Sequence, residues 1–265
     1  MAKKSKTTSL VSVIVPVFNQ EKTIKKDLTK INKALKATRF DYEIIAVIDG
    51  KKEDGSFSQA KKLGLPKVKV VGYKKNQGKG YAVRYGMAQS RGDKIAFIDA
   101  GMDIDPNGIS MILEHMEWYQ ADIIVGSKRH LASRVDYPPT REIMSRVYHR
   151  LVWLLFGFRV SDTQAGLKVF RRQVLKKVLP RMLVKRFAFD VELLAIAKSL
   201  GLDKIYEAPI KLDRKRFDFS STIEWSTAFE MLWNTLAVFY RLKILRYYDN
   251  KNWRAWPKDP KLKIG

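Results

Sequence analysis

Apolar positions along this chain switch period several times in the first half. The stretch SLVSVIVPVF (9–18) is dense in β-branched residues and reads as a strand. In the following NQEKTIKKDLTKINKALKA, Ile24, Leu28, Ile31 and Leu35 recur at spacings of four, three and four, which predicts an amphipathic helix. YEIIAVID (42–49), KVKVVGY (67–73), KIAFIDA (94–100) and ADIIVGS (121–127) are further strand patterns. Between them FSQAKKLG, KGYAVRYGMAQS and NGISMILEHMEWY carry helical spacing. Strands alternating with helices predict a doubly wound α/β fold with a parallel sheet, whose ligand crevice lies beyond the C-terminal strand ends.

The pattern changes after residue 127. Segments 141–158 and 221–248 mix large apolar and aromatic residues, Trp153, Trp225 and Trp233 among them, with flanking Arg and Lys. Two readings stay open for each: a helix packed in the core, or an amphipathic helix lying in a membrane interface. The division expected is a basic tail at 1–9, one α/β domain over 10–220, an amphipathic helix over 221–248 and a second basic tail at 249–265.

Composition narrows the chemistry. The chain has no cysteine and three scattered histidines, His115, His130 and His149, so thiolate and imidazole metal sites are excluded. Any metal would be held by oxygen, which suits Mg²⁺ or Mn²⁺. The net charge of +24 is uneven. Residues 1–125 carry 22 Lys and Arg against 14 Asp and Glu, a net of +8, whereas residues 126–265 carry 29 against 13, a net of +16. The second half is therefore expected to meet polyanions. The N-terminus lacks a signal-peptide pattern, and no uncharged run approaches the roughly 18 residues of a spanning helix. A soluble or peripheral intracellular protein is expected.

Against that charge, FIDAGMDIDP (97–106) places Asp99, Asp103 and Asp105 at the end of a predicted buried strand, and Asp49 ends another. Asp105 reads as a helix-start residue before Pro106, and for Asp103 a helix-start role and a metal-binding one both stay open. The stretch YKKNQGKGYAVRYG (73–86) fails as a phosphate loop, because five residues separate Gly72 from Gly78 and Gly80 replaces the Ser or Thr that holds Mg²⁺. It fails as a dinucleotide fingerprint because Val83 stands at the third glycine position. Either a tight turn or a helix start open to an anion remains, with Lys79 and Arg84 adding charge.

Taken in order, PVFNQE, VIDG, NQGKGYAVRYG and FIDAGMD resemble the nucleotide-sugar half of the family 2 glycosyltransferases with the GT-A fold. DTQAGLKVFRR (162–172) and FAFDVELLAIAKSLG (187–201) resemble the subgroup that transfers sugar to dolichyl or other polyprenyl phosphates. The resemblance implies a Rossmann-like, mostly parallel sheet flanked by helices. It implies a metal-dependent, inverting hexosyltransferase using a UDP-sugar, with UDP-glucose favoured over GDP-mannose, a polyprenyl phosphate acceptor and an anionic membrane surface as partner. The expected place is the cytoplasmic face of a membrane, held peripherally. A saccharide acceptor, or an inactive nucleotide-sugar binder, is the alternative within the fold. A nucleic-acid-binding protein would also be basic, but would not need strand-end carboxylates, and no nucleic-acid partner is expected.

Residue by residue, the resemblance puts Pro16, Phe18, Glu21, Asp49, Lys79, Asp99 and Ala100 around the nucleotide. The metal falls to Asp99 and Asp103. The family's DxD reads Asp99-Ala100-Gly101 here, so its second carboxylate is missing. Lys128, Arg141, Ser145 and Arg214 are implied to bind the acceptor phosphate, Arg141 and Ser145 sharing one helix face. Asp162 and Gln164 are implied to position sugar or acceptor. A phosphate monoester is already ionised near neutrality, so no general base is required for it to attack.

Overall fold

The computed structural model describes residues 9–51, 54–101, 103–133, 139–212 and 225–265, without the side chains of residues 139–143 and 225. Seven strands among them form one sheet: β1 (Leu10–Val17), β2 (Asp41–Asp49), β3 (Val68–Tyr73), β4 (Lys94–Ile98), β5 (Ile123–Ser127), β6 (Leu167–Arg171) and β7 (Ile205–Pro209). Their order is β3-β2-β1-β4-β6-β5-β7. All neighbours are parallel except β6, which runs antiparallel between β4 and β5. The mostly parallel α/β sheet is as the sequence predicts, with one inserted antiparallel strand that the periodicity does not reveal.

Hydrophobic burial explains the centre. Val11, Val13, Ile14 and Val15 of β1 and Ile44 to Val47 of β2 are fully buried, as expected for strands covered on both faces. Helix α1 (Ile24–Lys36) buries the Ile24, Leu28, Ile31 and Leu35 stripe and ends in Lys33 and Lys36, which complement its dipole. Helices α2 (Ser56–Lys61), α3 (Lys79–Ala88) and α4 (Gly108–Trp118) connect the next strands. The chain passes from β1 outward to β2 and β3, then α3 carries it back across β1 to β4. The switch point between β1 and β4 opens a crevice at their C-terminal ends.

The second half adds α5 (Pro139–Phe156), α6 (Arg172–Val178), α7 (Phe189–Ser199) and α8 (Trp225–Lys243). Helices α5 and α8 adjoin through a Tyr148 Oη to Thr235 Oγ1 hydrogen bond of 2.8 Å and an edge contact of Phe156 with Phe239. Each has two faces. Val152 and Val238 are buried, while Val147, Trp153 and Leu154 of α5 and Phe229, Trp233, Leu236 and Tyr240 of α8 are exposed. Each helix therefore packs one side into the core, as one of the two readings expects, and leaves the other side exposed and apolar. No helix among the described residues is long and apolar enough to cross a membrane.

Residues 249–265 return to the domain. Tyr248 is buried and donates to Glu192 Oε1 at 2.8 Å, Tyr81 donates to Asp259 at 3.2 Å, and Leu262 and Ile264 are buried. The basic tail is thereby part of the packed unit, its apolar residues supplying the contacts that its charge does not suggest.

Candidate active site

A cavity of about 610 Å³ opens at the switch point, lined from the ends of β1, β2 and β4 and the start of α3. Pro16, Phe18, Asp49, Lys79, Asp99, Ala100 and Asp103 all line it. Glu21 does not. Its carboxylate accepts the Gly55 N–H at 3.2 Å and holds the loop before α2.

Asp99 leaves the end of β4 with its N–H bonded to the Gly166 carbonyl at 2.9 Å. Its Oδ2 accepts from Lys79 Nζ at 2.7 Å, and its Oδ1 is buried without a hydrogen-bond partner. Removal from water works to lower the Lys79 ammonium, but the carboxylates of Asp99 and Asp190 outweigh it and hold it above the ordinary lysine value. Gly166 makes this arrangement possible, since a Cβ there would lie 2.1 Å from Asp99 Oδ2. Gly101, which stands at the second DxD position, has φ of 93° and open space where its side chain would be. Backbone conformation rather than crowding favours glycine there. The loop is tied down by the Gly101 N–H, which donates to buried Asp27 at 3.3 Å.

Asp49 has a use the sequence does not show. Its two oxygens accept the N–H groups of Gln77 and Gly78 at 2.7 and 2.9 Å, at the start of α3. The anion at this helix start is a side chain of the protein itself. Arg84 is buried, donates to the Leu179 carbonyl at 3.3 Å and takes no part in the cavity lining. Asp105 accepts the Asn107 N–H at 3.0 Å, an Asx turn leading into α4.

Of the residues expected to meet an acceptor, Lys128, Asp162 and Gln164 meet at a second loop. Asp162 is buried, its Oδ2 accepting the Lys128 N–H at 3.1 Å and its Oδ1 the Gln164 N–H at 3.2 Å. Glu207 of β7 fixes this loop by accepting the N–H groups of Ser161 and Asp162. Gln164 contacts Met231 Sδ of α8 at 2.9 Å, and Ser145 Oγ accepts from Arg129 at 2.8 Å. Arg129 adds a cation here that the sequence pattern does not single out. The Arg141 side chain and all of Arg214 lie outside the described residues.

Arg186 and Phe187 also line the cavity, from the loop before α7, and sequence reasoning did not single them out. Arg186 pairs with Glu230 of α8 at 3.2 Å, linking the cavity wall to that helix. Beneath the floor, Lys168 of β6 donates to Asp190 of α7 at 2.7 Å, both fully enclosed, and packs 5.1 Å from the centroid of Phe97. Burial pushes Asp190 upward, against the pull of Lys168 and Lys79.

A strand-end cavity at a topological switch, lined by Lys79, Arg186 and the carboxylates of Asp49, Asp99 and Asp103, is where a doubly wound α/β sheet takes its ligand. The chain belongs to glycosyl transferase family 2, whose model matches residues 12–179. Among curated proteins it is 37% identical over 210 residues to the dolichyl-phosphate beta-glucosyltransferase of Drosophila melanogaster, covering 72% of this chain and 64% of that one. The corresponding Homo sapiens protein is 36% identical over 72% of this chain and 64% of its own length, and the Dictyostelium discoideum protein 31% over 81% and 71%. The chain thus spans slightly less than two thirds of the fly and human relatives. Solved structures share the fold. Glucosyl-3-phosphoglycerate synthase from Mycobacterium tuberculosis, in complex with Mn²⁺, UDP and phosphoglyceric acid, superposes with a TM-score of 0.66 at 20% identity, covering 88% of this chain and 78% of that one. Mannosyl-3-phosphoglycerate synthase from Rubrobacter xylanophilus gives 0.67 at 18% identity, with 89% and 75% covered.

Proposed function

We propose that this chain transfers glucose from UDP-glucose to a dolichyl or similar polyprenyl phosphate at a membrane surface. The carrying observation is the switch-point cavity that brings the carboxylates of Asp99 and Asp103 together with Lys79 and Arg186, Lys79 donating to Asp99 at 2.7 Å. Relatives named dolichyl-phosphate beta-glucosyltransferase supply the substrate class.

The residues fit a hard divalent cation. Asp99 and Asp103 offer oxygen donors into one cavity, and among the described residues no group of three or more His, Cys, Asp or Glu gathers to hold a metal. Two carboxylates with the balance from phosphate and water is the usual provision for Mg²⁺. Asp99 and Asp103 would hold Mg²⁺ or Mn²⁺, which would supply Lewis-acid stabilisation of the departing UDP.

This chain's own residues do the rest by positioning and charge. Lys79 and Arg186 offset the negative charge of the diphosphate, while Asp49 fixes the loop that carries Lys79. Arg129, Lys128 and the Asp162 loop bring the acceptor phosphate to the sugar. A phosphate oxygen forms the new bond to the anomeric carbon as the bond from that carbon to the diphosphate breaks, and UDP carries away the electron pair. One displacement on an α-linked donor gives a β-linked product, in keeping with the names of the relatives. The exposed apolar faces of α5 and α8, flanked by basic residues, suit peripheral attachment that presents the site to a lipid-borne phosphate.

Transfer of labelled sugar to a short polyprenyl phosphate, with UDP-glucose or GDP-mannose and with Mg²⁺, Mn²⁺ or chelator, tests the proposal. Metal-dependent glucolipid from UDP-glucose is expected. Lipid product from GDP-mannose alone would overturn the donor, and glucosylation of oligosaccharides with none of the lipid phosphate would overturn the acceptor.

A further inference from the structure

A second cavity, of about 470 Å³, lies at the C-terminal ends of α5 and α8, away from the catalytic crevice. Lys198, Lys243 and Arg246 line it against one acid, Asp249, and Phe156 and Phe158 form an apolar wall with rings stacked at 5.4 Å. We propose that this cavity binds the phosphate headgroup of an anionic membrane lipid. The inference rests on the membrane reading above and names a specific lipid contact for it.

Three observations converge. The first is the position of Lys243. At 100° per residue, it falls about 20° from the lines of exposed Leu236 and Leu232, on the edge of the stripe that Phe229, Trp233 and Tyr240 continue. The apolar stripe of α8 therefore ends in a cation, as expected where an interfacial helix meets headgroups. Lys243 forms no ion pair among the described residues.

The second is the backbone of Arg246. Helix α8 closes with the Tyr247 N–H on the Arg241 carbonyl at 2.9 Å, and Arg246 precedes Tyr247 with φ of 50°. That left-handed position in such a closure is usually glycine or asparagine. An arginine held there, its Nε 3.0 Å from Asp249, keeps a strained backbone and gains a guanidinium at the cavity rim.

The third is Lys198. Its ammonium donates to the Phe156 carbonyl at 3.0 Å and to that of Gly157, so the cation is fixed at the end of α5 instead of waving in solvent. A preset cation, an exposed one and a planar donor around an apolar wall match a phosphate carried on an acyl-bearing glycerol.

The experiment is flotation of the full chain with vesicles of phosphatidylcholine alone or mixed with phosphatidate. Wild-type protein is expected to bind both and to prefer phosphatidate. Lys243→Ala with Arg246→Gly should remove the preference, by about fivefold per charge, or roughly 1 kcal/mol each. Glycine at 246 relieves the left-handed backbone, so an unchanged or raised melting temperature will show that the fold is intact. Lys251→Ala with Arg254→Ala removes two exposed charges from the neighbouring turn and should cost clearly less. Equal losses from the two pairs would mean a diffuse field and overturn the cavity site. Binding to both vesicles without preference would overturn it while leaving the membrane reading in place, and no binding to either would overturn both. If inorganic phosphate at matched ionic strength abolishes the preference as readily as phosphatidate headgroups sustain it, the ligand is a soluble phosphate and the lipid assignment falls.

Discussion

Replacing Gly166 by alanine tests Asp99 without touching it. The new Cβ would stand 2.1 Å from Asp99 Oδ2 and 2.6 Å from its Cγ, where ordinary contacts begin near 3.4 Å. The carboxylate must move by about 1.3 Å, the difference between 3.4 and 2.1 Å. The backbone at Gly166 is outside the left-handed region, so alanine itself adopts it without strain. The Asp99 side chain is one third exposed and has room to swing outward. Overpacking of this kind costs roughly 1 to 3 kcal/mol, and the lower end applies where a side chain can yield. Function should suffer more. A displacement of about 1 Å at a reacting centre can cost roughly 100-fold in rate. Gly166→Ala is thus expected to fold, with a small fall in melting temperature. It should lose about 100-fold in glucosyl transfer and need more Mn²⁺ for half-maximal rate. Wild-type transfer and metal dependence in a folded Gly166→Ala protein would refute the assignment of Asp99 to the metal and diphosphate.

Three further outcomes follow from the same geometry. Lys168→Met leaves Asp190 enclosed without its partner and should cost about 3 to 5 kcal/mol in denaturant unfolding, with Lys168→Met/Asp190→Leu recovering most of it; a single-variant loss under about 1 kcal/mol would contradict the buried-pair account. Burial, then Arg129, holds His149 below the ordinary histidine value, so the unfolded chain takes up that proton first as pH falls. The stability it confers is full above the unfolded pKa and is lost as pH drops through it toward the folded one; the melting-temperature gap between wild type and His149→Gln should narrow from about pH 8 to about pH 5, and a constant gap would count against it. Gly101→Asp restores the family's second carboxylate on a left-handed backbone, so it should cost about 1 to 2 kcal/mol and bring no gain in transfer; a faster enzyme would show that the conformation is not the constraint.

Local pattern was enough to place β1, β2, β4 and their connecting helices, because burial on both faces or along one stripe leaves a period that neighbouring residues carry. The same local reading found Asp49, Asp99 and Asp103, since a carboxylate closing an apolar run is conspicuous wherever the chain then goes. It left α5 and α8 open between a core helix and an interfacial one, and did not show which side of each would be covered. What it lacked was pairing over distance. β6 is five residues, Leu167 to Arg171, without a period of its own, and only its bonds to β4 and β5 make it an antiparallel member of the sheet. Arg186 and Phe187 reach the cavity from a loop whose sequence resembles any basic turn. Asp49 proved to hold the start of α3, and Gly166 to make room for Asp99, through contacts 28 and more residues away. The sequence by itself determined the strand ends and the charges placed on them, because those are properties of neighbours along the chain. The tertiary structure decided which charges face one another, because electrostatic and steric contact depends on distance in space, and that distance is set only when the sheet order closes.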